Sequence, residues 1–196
     1  MRLNLKNTRI PKTELRSFIL TLIATLVGVF IAILLTNSGI QKKEKVDTIK
    51  LLNTSRLILS DTKLYSQGMS RAVNKIEKDT TNNNYERISQ MKKDNPIPFP
   101  YLLETVIANE IVSKNISEYS HSQIYTGLIN LKKIANYKMI ETYELLLSEL
   151  IALIDLEIQY QKGELDVDEI ENRMRTKRDE LKKLNPNKNI LEIRTK

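Results

Sequence analysis

A stretch without a single charge, from Ser17 to Gln41, constrains this chain more than any other feature. Within it, Phe18 to Leu35 is apolar apart from Thr21 and Thr25, whose hydroxyls can bond back to the helix backbone. Roughly 18 such residues rise about 27 Å as an α-helix, the thickness of a bilayer's hydrocarbon core. The rival reading is a cleaved secretory signal, with Thr36 and Ser38 as the small residues before a cut at Gly39. The apolar run is longer than the usual ~7–15 residues of such a signal and no alanine pair marks the cut, so a retained signal-anchor is expected.

The flanks give a tie in positive charge. Arg2, Lys6, Arg9, Lys12 and Arg16 precede the helix, and Lys42, Lys43, Lys45, Lys50 and Arg56 follow it. Long domains translocate largely regardless of charge, whereas moving the short N-terminal arm outward works against a potential worth about 2.3 kcal/mol per charge per 100 mV. The expected topology is single-pass, with the N-terminus inside, the C-terminal part outside, and the first five cations as its determinants.

The expected organisation is a basic arm 1–16, a transmembrane anchor 17–41, a helical soluble domain 42–185 and a tail 186–196. The residues after the anchor suffice for one domain with its own core. With five glycines, five prolines and no tryptophan, and with apolar residues recurring at helical spacing, the class is all-α. The absence of cysteine excludes disulfide frameworks, thiol catalysis, thiolate zinc sites and an acylated lipoprotein cysteine.

Along the domain, Val46, Ile49, Leu52, Leu59, Tyr65, Met69, Val73 and Ile76 suggest that the anchor continues as a long amphipathic helix, with Gly68 as a candidate break. Asp79 to Asn84 reads as a polar loop and Tyr85 to Lys92 as a short helix. In Asn95-Pro96-Ile97-Pro98-Phe99-Pro100 the alternating prolines enforce an extended connector, read as a linker rather than a ligand for a proline-binding module. Helical periodicity resumes from Tyr101 to Asn115, and Ser120 with Gln123 has capping-box spacing for the next start. The apolar stripe from His121 to Lys162 divides into two helices if the polar Asn136-Tyr137-Lys138 breaks it. Gly163 supplies a stop, Asp166 with Glu169 opens a charged helix to about Leu184, and Asn185-Pro186-Asn187 ends it. The sum is a single N-terminal transmembrane helix continuing into a bundle of about four principal helices, with no internal repeat.

The anchor Phe18 to Ala32, the charged helix after it, and Pro100-Tyr101-Leu102-Leu103-Glu104 opening another together resemble a broad group of uncharacterised bacterial proteins with one N-terminal membrane anchor and a helical soluble domain. The resemblance implies the topology and a bacterial inner or cytoplasmic membrane, and carries no activity or set of functional residues.

Ala24, Gly28 and Ala32 stand four apart on one face of the anchor, the small-residue spacing that lets two helix backbones approach closely in lipid. Small residues are also common in membrane helices generally, so the face is a candidate for packing. Glu118 and His121 have the Glu-x-x-His spacing of bundle metal sites, but a dinuclear site needs a second motif and the chain has one histidine. Glu141, Glu144, Glu149, Asp155 and Glu157 scatter around their helix and read as a solvated face. Asp166-Val167-Asp168 lacks the glycine and glutamate of a calcium loop. No phosphate-cradling glycine loop or nucleophile elbow occurs. The net charge of +7 owes much to the N-terminal arm, and Arg173, Arg175, Lys177, Arg178, Lys182 and Lys183 alternate with acids, which argues against nucleic acid.

No cofactor or metal is expected. The partners expected are the lipid bilayer, further copies of the chain and an unidentified protein. The leading expectation is a non-enzymatic membrane-anchored interaction or scaffold protein that self-associates through its membrane helix. Alternatives are a membrane effector or pore-forming assembly controlled by the helical domain, which the lack of a polar stripe in the anchor disfavours, and an extracytoplasmic ligand sensor.

Overall fold

The computed structural model describes residues 12–79, 83–137 and 140–184, with side chains over 20–79, 83–135 and 140–183. Among these every regular element is a helix: α1 (Lys12–Glu77), α2 (Asn84–Asp94), α3 (Tyr101–Ala108), α4 (Glu110–Asn115), α5 (Glu118–Tyr137), α6 (Ile140–Lys162) and α7 (Val167–Leu184). The chain forms two compact units, Met1–Lys43 and Glu44–Lys196. Arg2, Lys6 and Arg9 lie outside the described residues, as do the side chains of Lys12 and Arg16 and the stop at Asn185-Pro186-Asn187.

In the first unit α1 is apolar and uncovered. Its best 18-residue window has a mean hydropathy of 2.3 with none of it buried, so the helix is long and apolar enough to cross a membrane. The Thr25 hydroxyl donates to the Thr21 carbonyl at 2.8 Å, which satisfies that hydroxyl within the helix.

In the second unit the rest of α1 is uninterrupted through Gly68, so the suggested break there is corrected. A Cβ at Gly68 would meet nothing within 4 Å, and a single exposed glycine costs a helix only about 1 kcal/mol. The buried face also differs from the apolar stripe. Thr48, Leu52, Ser55, Leu59, Thr62, Ser66 and Met69 are buried, at alternating spacings of four and three, while Val46 and Tyr65 are exposed. Two of the four buried hydroxyls are satisfied within the helix: Ser55 donates to the Leu51 carbonyl at 3.0 Å and Thr62 to Ile58 at 2.8 Å. Thr48 instead reaches the Ile111 carbonyl at 3.4 Å.

The connector is extended as the prolines require, and it is tied to the core. Phe99 packs against the core, and the Tyr143 hydroxyl donates to the Pro98 carbonyl. Burial, with Tyr101 nearby, pushes the Tyr143 phenol well above its ordinary value. The single helix expected over Tyr101–Asn115 is two, because Asn109 adopts an extended conformation (ψ 133°) and its side chain accepts from the Ile111 N–H at 3.0 Å.

The helices α5, α6 and α7 pack in sequence, α5 on α6 and α6 on α7, while α3 lies on α4 and α5. The expected split near Asn136 falls between α5 and α6. α6 ends as its glycine dictates: Gly163 has φ +80°, its N–H bonds the Tyr160 carbonyl at 2.8 Å, and the Glu164 N–H bonds Gln159 at 2.9 Å. α7 opens with a reciprocal capping box, the Asp166 N–H to Glu169 Oε2 at 3.1 Å and the Glu169 N–H to Asp166 Oδ1 at 2.8 Å. Further along, Arg178 bonds Glu149 of α6 and Gln123 of α5, so one guanidinium clasps three helices.

Candidate functional site

Ala24, Gly28 and Ala32 share one face of α1 by helical geometry. A Cβ built on Gly28 would meet nothing within 4 Å, and the flanking Leu26, Val27, Val29 and Phe30 are all exposed. No part of this chain covers that face among the described residues.

The helical unit holds a cavity of about 600 Å³, where the end of α2 and the proline connector meet α1, α5 and α6. Met69, Ile97 and Phe99 give it an apolar lining, and Lys92, Lys93 and Lys132 are also among its lining residues. The Lys132 Nζ lies 5.6 Å from the centre of the Phe99 ring, a cation–π distance. These lysines were not singled out from sequence. Lys92-Lys93 ahead of three prolines was a visible local signal, whereas Lys132 arrives only through the packing of α5.

The acids of α6 are not one solvated face, and Glu157 is the largest correction. It is fully buried: Oε1 accepts from the Ser117 N–H at 3.1 Å and from Gln161 Nε2 at 2.9 Å, and Oε2 accepts from the Ser117 hydroxyl at 2.6 Å. Ser117 Oγ accepts in turn from the Ser120 N–H at 3.2 Å. The start of α5 is therefore capped at Ser117, three residues before the expected Ser120 cap, and Ser120 is buried inside the helix with its hydroxyl unpaired. Both carboxylate oxygens accept from Ser117 at the start of α5, so the cluster has the chemistry of a structural cap.

The earlier helix start places Glu118 and His121 on the same helix, where the single histidine still leaves the pair without a second motif. Glu118 is exposed and His121 packs edge-on against Tyr125. Among the described residues no three His, Asp or Glu side chains converge as a metal-binding group. Burial raises the Glu144 carboxyl above its ordinary range, with Lys63 and Arg71 pulling the other way. Asp155 is raised for the same reason, opposed by Arg56 at 3.3 Å. Neither acid lines the cavity.

No family model matches this chain, and no curated protein or solved structure does.

Proposed function

We propose that this chain is a non-enzymatic, membrane-anchored interaction protein, held by the first part of α1, whose helical domain is a bundle that presents its surface to a partner. The observation that carries the reading is the apolar window of α1 with mean hydropathy 2.3 and no burial. A helix so apolar and so uncovered needs lipid as its solvent. The N-terminal arm stays inside, for the reason that its five cations are costly to move outward, and the helical domain lies outside.

The chain has no cysteine, so single cysteines report its topology cleanly. With Ser38→Cys and Glu171→Cys introduced separately, a membrane-impermeant thiol reagent is expected to label both in intact cells. Labelling only after lysis would put the helical domain inside and reverse the assignment.

Self-association through Ala24, Gly28 and Ala32 belongs to the same proposal, supported by the open space at Gly28 and by the close approach that small residues allow. Gly28→Ile is expected to cut crosslinked dimer in membranes about tenfold, equivalent to ~1.4 kcal/mol. An unchanged crosslinking yield would remove this face from the interface.

A further inference from the structure

We propose that the cavity between α2, the proline connector and α5 binds a small amphiphilic anion, an apolar body carrying one anionic head. Size and charge together select this class. About 600 Å³ falls in the ~300–1,000 Å³ range of small-molecule sites, too little for an extended peptide of any length. The lining is mainly apolar, so it suits a hydrocarbon or aromatic body, and it holds three lysines and no acidic side chain. None of the three forms an ion pair with a described residue.

A structural account covers part of this charge. Lys92 and Lys93 sit in the last turn of α2, where cations complement the helix dipole. Lys132 has no such explanation, because α5 has no basic residue in its last turn. It stands over Phe99, at the boundary between the apolar lining and the cationic rim. An anion whose head met the three ammonium groups would leave its body against Phe99, Ile97 and Met69. That arrangement rejects cations by repulsion and rejects purely polar anions by leaving the apolar lining unfilled.

The test uses the full chain in nanodiscs of zwitterionic phosphatidylcholine, titrated with octanoate in a calorimeter against empty nanodiscs. Saturable binding near one octanoate per chain is expected, and Lys92→Met, Lys93→Met and Lys132→Met combined are expected to weaken it about tenfold or more. Ala135→Phe, which fills the cavity without changing charge, is expected to abolish it. If that variant loses its helical melt, the lysine triple variant, whose side chains lie at the rim, carries the test alone. The proposal is overturned by no saturable heat below millimolar octanoate, by equal affinity for octyltrimethylammonium, or by an unchanged affinity in the triple variant. Hexaglutamate binding as tightly as octanoate would also overturn it, since charge alone would then suffice and the surface would be one for acidic peptides.

Discussion

Replacing Glu157 with alanine is expected to destabilise the helical unit by about 3 kcal/mol. The carboxylate is fully buried and accepts from the Ser117 N–H, the Ser117 hydroxyl and the Gln161 amide. Alanine removes all of these acceptors at once, in a place that water does not reach. The Ser117 hydroxyl can turn and Gln161 keeps its 2.6 Å bond to the Asn115 carbonyl, so the loss stays below the sum of three full penalties. For a domain of this size ~3 kcal/mol corresponds to a fall of about 6–12 °C in Tm, readable by circular dichroism on the full chain. Glu157→Gln retains the shape but turns an amide N–H toward other donors, and about half the effect is expected. A fall of less than 2 °C for Glu157→Ala would mean that the start of α5 is held by other contacts.

Gly127→Leu should cost about 2–3 kcal/mol by overpacking the contact of α5 with α6. A Cβ at Gly127 would already lie 2.6 Å from Leu150 Cδ2 and 3.1 Å from Leu150 Cγ, so a larger side chain has no room until Leu150 moves. Gly127→Ala separates space from backbone freedom. The added Cβ presses only on the end of a flexible leucine, while alanine gains about 1 kcal/mol of helix propensity, and the two effects should leave stability within ~1 kcal/mol of the parent. The decisive measurement is the double-mutant cycle with Leu150→Ala. Steric conflict as the cause requires Gly127→Leu to be less costly in that background by at least about 1 kcal/mol. Additive effects would place the cost elsewhere on α5.

These two sites also mark where the sequence was readable. The stop at Gly163 and the box at Asp166 and Glu169 were legible because each is made by residues within one turn of the helix end it serves. The cap at Ser117 was not, because its partner Glu157 comes from forty residues away, and Ser120 with Gln123 offered the better local pattern. Gln123 is engaged instead by Arg178 of α7. The break at Asn109 was hidden by apolar periodicity that continues across it from Val106 and Ile107 to Val112. On α1, reading by apolarity found Leu52, Leu59 and Met69 and passed over Thr48, Ser55, Thr62 and Ser66, which are buried along the same face. The uncovered apolar run was legible in full, since it is a matter of local composition. The cavity draws its cations from two helices and its floor from four other places in the chain, a juxtaposition that only packing creates.

The alternating face of α1 has a consequence for registry. Slid by seven residues, about 10.5 Å along its axis, the helix would put Ser55 where Thr48 sits, Leu59 where Leu52 sits and Thr62 where Ser55 sits, each like for like. Up to that point the two alignments are close to degenerate. The degeneracy ends at the next position, where Ser66 would replace Leu59 in a fully buried site, and at the one after, where Met69 would replace Thr62. Axial alignment of this part of the helix is thus set by the mismatches at Leu59 and Thr62, while Thr48, Leu52 and Ser55 act as interchangeable rungs.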